Sequence, residues 1–464
     1  MSSPVIWIVI PAVVGLFLWF LRSKQQLSLI LAAGICIILS VLSIVLPIGA
    51  AVNLGGLTFT IPSTLPVLGR RFVLTASDQM ILTLLYGLGA VWFALAPLAW
   101  PHRLFPSFGL GMLASLTAAL AVAPILYAAL LVETAVLFSI PILSPPGRLV
   151  GQGLQRYLIF QTLAVPAILF AGWLLGVAEA NPADTAMFQR AGMFLGLGFA
   201  FWLGVFPFYN WVPMMMTETH PFPAGYVLSL LPTAVLLLGL DFINSTGFLR
   251  ESAVLFDIVR IIGILMVVTG GLWAAFQVNL ARVFGYAVIF ETGFALLAIS
   301  VNTLDGWMLF AAAFLPRLLA LLIFAFALAV LENQGIPLTL LGIRGLARRF
   351  PLTALGLLAA ILSISGFPLL AGLPVRLEIF EQLAITSRTA LIGAGIGTTG
   401  FLFCGMHILS ELIHSDEKHW TMVENWPLRV ILIGGCLFLL AFGLFPETFY
   451  HSILFILQAF PHLF

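Results

Sequence analysis

The chain has 464 residues, of which 62% are hydrophobic and only 8% charged, with a mean hydropathy of +1.15. Soluble chains carry roughly a quarter charged residues, and two lysines, 17 arginines and 18 acids cannot cover a water-facing surface of this size. A soluble enzyme and a disordered scaffold are thereby excluded, and a net charge of +1 offers no basic face to nucleic acid.

The first apolar stretch, Met1 to Phe20, lacks a basic leader and reads as a first span rather than a cleavable signal. About 20 apolar residues cross a bilayer as a helix. Counting such runs predicts helices near 4–21, 27–48, 78–99, 106–121, 123–143, 154–177 and 188–212. Seven more follow near 224–243, 252–276, 281–301, 306–331, 352–373, 388–413 and 428–446. The expectation is an all-α polytopic membrane protein of fourteen helices, numbered here in chain order. Only Pro124 divides helices 4 and 5, and the longest polar connection, roughly 50–77, is still short.

An even number of spans puts both termini on one side. Alternate loops collect Arg22, Lys24, Arg103, Arg148, Arg156, Arg282, Arg344, Arg348, Arg349 and Lys418, whereas the opposite loops hold Arg70, Arg71, Arg190, Arg250 and Arg388. The positive-inside rule then places both termini on the non-cytoplasmic side.

Internal symmetry organises the middle of the chain. Prolines six residues apart interrupt two spans: Pro207 and Pro213 in VFPFYNWVP, Pro368 and Pro374 in GFPLLAGLP. Proline inside a helix removes a backbone hydrogen bond and kinks or breaks it. Charges repeat with them: Glu133 lies 74 residues before Pro207 and Glu291 lies 77 before Pro368. Arg156 and Arg317 each lie 51 residues before the same prolines. Broken helices in matching positions of two repeats mark the core of many carriers. The spacing predicts helices 1–3 in residues 1–100, a first repeat (helices 4–8) in 101–245, a second (helices 9–13) in 246–413, and helix 14 with a tail in 414–464.

A charge at bilayer depth costs roughly 2.5–3.5 kcal/mol on insertion scales, so each one needs a reason. Glu133 (ALLVETAVLF) and Glu291 (AVIFETGFAL) fit proton sites, or structural acids tied to Arg156 or to a helix-end donor. Asp257 and Arg260, three apart, are expected to pair with each other. Arg317 and Arg376 cannot release a proton. They can fix a neighbouring carboxylate or anchor lipid phosphate, or Arg376 can lie at the membrane edge with Glu378 and Glu381. His407, Glu411 and His414 share a face near the end of helix 13 and are candidates for cytoplasmic proton entry, with an ordinary interfacial face as the alternative.

Metal ligation by that one helix is not expected. Cys36, Cys404 and Cys436 stand alone, with no CxxC pair, so no iron–sulfur cluster is expected on this chain alone. Gly395 to Gly400 spells GxGxxG, but no strand precedes it, so close helix packing explains it better than a dinucleotide. The same packing is expected at Gly192 and Gly196.

These motifs carry a resemblance. The chain resembles the proton-conducting membrane subunits of complex I, related to Mrp-type cation/proton antiporter subunits and membrane hydrogenase subunits. QRYLIFQTLAVPAILFAG is similar to the family's sixth helix and GFAFWLGVFPFYNWVP to its broken seventh. NLARVFGYAVIFETG resembles helix 10, and AFLPRLLALLIF and LSISGFPLLAGLPVRLEIF resemble helices 11 and 12. The resemblance covers roughly 120–380 and implies inverted repeats. It also implies partners that are other membrane subunits, similar antiporter-like ones included, with lipid around them and no cofactor bound by this chain.

In that family a helix-5 glutamate pairs with a helix-7 lysine, and lysines on helices 8, 11 and 12 (or a glutamate on 12) continue a polar axis. The resemblance puts the glutamate on Glu133, and the lysine positions on Trp202, Ala234, Arg317 and Arg376. The helix-7 histidine position is Tyr209. A relay of exchanging lysines therefore cannot operate here. The implied function is proton translocation within a complex I-type oxidoreductase, through Glu133 and Glu291. The alternatives are a structural subunit that has lost the pathway and an Mrp-type antiporter subunit; the chain has no catalytic centre of its own in this reading. A stand-alone carrier would need substrate-coordinating groups at the breaks, where Ser363, Ser365 and Tyr209 offer few.

Overall fold

The computed structural model describes residues 2–49, 51–54, 57–67, 69–144, 150–180, 185–414 and 422–463. Arg148 and Lys418, two of the loop charges used above, lie outside these residues. Among the described residues, eleven helices are long and apolar enough to cross a membrane, and three shorter apolar helices complete the expected fourteen.

Helices 1–5 are Val5–Phe20, Gln25–Val45, Ala76–Ala99, Phe105–Ala121 and Ile125–Leu143. Pro124 does separate helices 4 and 5, in an extended conformation. Helix 6 is Gln152–Ala180, and helix 7 comes in two pieces, Thr185–Leu203 and Trp211–Glu218. Helices 8–11 are Pro221–Ser245, Ala253–Ala275, Leu280–Ser300 and Leu304–Asn333. Helix 12 is again split, into Pro351–Ile364 and Gly372–Thr386. Arg388–Ile413 and Trp426–Leu444 are helices 13 and 14.

Two boundaries need correction. The expected spans 188–212 and 352–373 stop at the breaks, whereas the chain resumes as a second half-helix to Glu218 and to Thr386. Apolar counting ends where polar residues appear, and the resumed half of helix 12 carries Glu378 and Glu381 at exposed positions while burying Val375, Ile379 and Leu383. The two breaks are built alike. Gly204 (φ 60°) and Gly366 (φ 73°) take left-handed backbone just before Pro207 and Pro368, a region open to glycine at little cost. Pro213 and Pro374 are each the third residue of the resumed half-helix, within the first turn, where a missing N–H costs nothing.

The connection after helix 2 is not merely a loop. Ala51–Leu54 pairs antiparallel with Leu57–Thr60, and Thr64–Val67 with Arg70–Val73, whose Arg71 and Phe72 also pair with Ala123 and Val122. AVNLGGLTFT carries the Gly-Gly hairpin signature between two short β-prone runs.

Helices 8, 10 and 11 form the interior, with nearly all their residues buried, and helices 2, 5, 6, 7, 9, 13 and 14 are largely peripheral. Small residues set the spacing. A Cβ on Gly225 of helix 8 would meet the Ala325 methyl of helix 11 at 2.5 Å. On helix 13, Gly397 lies so close to helix 9 that a Cβ would meet the Val267 carbonyl oxygen at 2.3 Å, and Gly400 abuts Gly271. Close packing, as expected for the GxGxxG run, therefore holds at Gly397 and Gly400, whereas Gly395 has no atom within 4 Å of a Cβ. Gly192 and Gly196 are not closely packed: no atom lies within 3.8 Å of a Cβ at either, and they line an apolar cavity of about 140 Å³ with Gly239 and Phe242.

Candidate functional site

The second repeat gathers its charges at the break of helix 12. Glu291 is the twelfth of 21 residues in helix 10, and Arg317 the fourteenth of 30 in helix 11, so both stand near mid-span. Arg376 sits in the second turn of the resumed half of helix 12. All three are buried. The Arg376 Nη2 donates to Glu291 Oε1 as an ion pair. Its Nε donates to the Ile364 carbonyl at 3.1 Å, one of the groups freed where the first half of helix 12 ends. The guanidinium also lies over the ring of Phe294 at 3.8 Å. Gly366 makes this approach possible, since a Cβ there would meet the Arg376 Cδ at 3.0 Å.

Arg317 donates through Nη2 to the Thr292 hydroxyl at 3.1 Å, while its Nε and Nη1 are buried without a partner. A cavity of about 20 Å³ opens between Glu291, Arg317, Ser363 and Arg376. Placing Arg376 at the membrane edge or on lipid phosphate is therefore corrected: it is interior, because the resumed half-helix packs on helices 11 and 13 and carries Arg376 within reach of Glu291. Thr292 was not singled out by the sequence; its only signal is that it follows the acid, as Thr134 follows Glu133.

The first repeat does not repeat this. Glu133, half-buried on helix 5, accepts from the Thr162 hydroxyl at 2.8 Å through Oε1, and its Oε2 is buried without a partner. It makes no ion pair among the described residues. Arg156 does not reach it; that guanidinium is exposed, with Nη1 3.4 Å from the Met214 sulfur. Arg156 is only the fifth residue of helix 6, about three turns short of mid-span, so equal sequence spacing put it at a different depth from Arg317.

Trp202 and Ala234 are fully buried. Trp202 stands edge-on to Phe199, and the Gln161 amide donates to its carbonyl at 3.1 Å. Tyr209 is half-buried in the helix-7 break, near-parallel to Phe206. Ser363 Oγ accepts from the Gly372 N–H and Ser365 donates to the Leu362 carbonyl, so both hydroxyls serve the break itself.

Asp257 and Arg260 pair at 2.9 Å as expected. His407 and His414 are exposed and Glu411 is half-buried at the end of helix 13, and no His, Cys, Asp or Glu group among the described residues is arranged to hold a metal ion. Glu218, which the sequence did not flag, closes the resumed half of helix 7 against helix 6. Its carboxylate accepts the N–H groups of Gly153 and Leu154 at 2.8–3.1 Å.

Residues 111–402, more than half of the chain, match the family described as NADH:quinone oxidoreductase/Mrp antiporter, TM. The chain belongs to this family. Among relatives, it is 28% identical over 269 residues to NADH-quinone oxidoreductase subunit N of Ruthia magnifica, which covers 57% of this chain and 55% of that protein. It is 26% identical over 311 residues to NADH-quinone oxidoreductase subunit 14 of Thermus thermophilus, covering 64% and 68%. The chain thus spans little more than half the length of the Ruthia protein.

The fold is similar over nearly the whole chain to one in the Mrp complex from a Dietzia species, with a TM-score of 0.85, 15% identity, and coverage of 100% of this chain and 98% of that one. It is also similar to a chain of respiratory complex I from Thermus thermophilus, with a TM-score of 0.73, 20% identity, and coverage of 99% of each. The protein is an integral, multi-pass membrane protein with the antiporter-like fold.

Proposed function

We propose that this chain is an antiporter-like membrane subunit of a complex I-type energy-coupling complex and takes part in moving protons across the membrane, beside other membrane subunits, similar ones included. The observation that carries this reading is the buried Glu291 in contact with Arg376 across the break of helix 12. An acid at that depth is costly and marks ion pathways in membrane proteins. Within the cluster the arginines keep their charge, so Glu291 is the group able to take up and release a proton. Protonation would weaken its hold on Arg376, whose Nε also ties the broken helix at Ile364, so a proton on Glu291 is felt by the backbone of the break. Even span number and the excess of arginine in alternate loops support termini on the non-cytoplasmic side.

A second reading, a structural subunit without a pathway, is favoured by the buried Trp202 and Ala234 at the positions where the resemblance puts lysines, and by the absence of an ion pair at Glu133 among the described residues. The test is Glu291→Gln in the intact complex, with proton pumping into vesicles measured beside electron-transfer rate. Pumping that falls while the protein still assembles supports the first reading. Unchanged pumping, with Glu133→Gln also silent, replaces it by the second.

A further inference from the structure

The cluster at the helix-12 break carries more positive charge than its own residues offset. Two arginines face one acid: the sum is +1 with Glu291 ionised and +2 with it protonated, and among the described residues Glu291 is the one acid lining the cavity. Arg376 is held through Nη2 by Glu291, through Nε by the Ile364 carbonyl, and by the Phe294 ring. Arg317 is not so held. It is 3% exposed, uses only Nη2, and leaves Nε and Nη1 as buried donors beside the cavity. A buried cation without its counter-charge is among the costliest arrangements in a protein.

The geometry points to a binding site for one compact monovalent inorganic anion, such as chloride, held by Nε and Nη1 of Arg317 in the cavity it shares with Glu291, Ser363 and Arg376. The volume of about 20 Å³ admits a particle the size of a water molecule and is too small for phosphate or a carboxylic acid. A water there would satisfy the two donors but leave the charge, whereas a small anion does both. The adjacent Glu291 carboxyl repels the anion when ionised, so the site binds weakly and is tightest when Glu291 is protonated. The inference does not rest on proton conduction; a structural subunit would need the same counter-charge.

The experiment is thermal unfolding of the full-length protein, alone or within its complex, in sodium chloride against sodium gluconate at equal ionic strength. Chloride is expected to raise Tm in a saturable manner by about 2–4 °C. Arg317→Gln removes that difference and Arg317→Lys, which keeps the charge, retains it. Because Arg317→Gln can fail to fold, line broadening of ³⁵Cl resonances by the wild-type protein is measured as well, and broadening is expected. Equal Tm in the two salts without line broadening overturns the proposal in favour of water alone. A chloride effect that persists in Arg317→Gln also overturns it, by placing the anion elsewhere.

Discussion

Glu291 and Arg376, separated by 85 residues, meet as an ion pair in the interior, one at mid-span and the other just past a break. The pair joins helix 10, one of the most buried elements, to a half-helix that would otherwise be held mainly by its apolar contacts.

Removing one member therefore takes from the other its buried hydrogen-bonded partner. Arg376→Gln is expected to destabilise the protein by about 3–5 kcal/mol, as for other buried pairs broken on one side. In a double-mutant cycle with Glu291→Gln the losses should fall well short of additive, by at least about 1 kcal/mol. Strictly additive losses would show that the two side chains do not interact.

Glu133 should behave differently. Among the described residues its one hydrogen bond comes from Thr162, and a glutamine carbonyl accepts it equally well. Glu133→Gln is expected to change stability by less than about 1 kcal/mol. A loss as large as that of Arg376→Gln would mean that Glu133 has a charged partner after all.

The contact between helices 9 and 13 offers a paired test. A Cβ on Gly271 would lie 1.9 Å from the Gly397 carbonyl oxygen, whereas nothing lies within 4 Å of one on Gly395. Gly271→Ala should cost about 1–3 kcal/mol by forcing the helices apart. Gly395→Ala, on helix 13 beside Gly397 but away from the contact, should stay within about 1 kcal/mol of the parent. Chemical-denaturation midpoints in detergent separate the two outcomes.

Glu218 makes a prediction about helix 6. The carboxylate meets two free N–H groups at the positive end of that helix, where an anion is favoured. Glu218→Ala should cost about 0.5–2 kcal/mol, with glutamine recovering part of it. Thermal unfolding unchanged in both variants would mean that water serves those N–H groups equally well.

Several features were legible from residues alone because they are local. Eleven spans among the described residues follow from length and hydropathy, since one bilayer thickness fixes how many apolar residues a helix needs. Asp257 and Arg260 pair because three residues make nearly one helical turn. The breaks at Pro207 and Pro368 follow from a missing backbone donor. Other features depended on how deep each residue lies and which way it faces. Arg156 and Arg317 share an offset of 51 residues from their prolines, yet one is exposed near a helix end and the other buried at mid-span.

The sequence by itself determined a membrane-spanning helical chain with two proline-broken helices, and with acids and arginines placed where lipid would punish them. Only the tertiary structure decided that Glu291, Arg317 and Arg376 converge while Glu133 and Arg156 do not. The reason is physical: periodicity and hydropathy are set along one helix, whereas a contact between helices depends on the depth, rotation and close approach that packing of the whole bundle imposes.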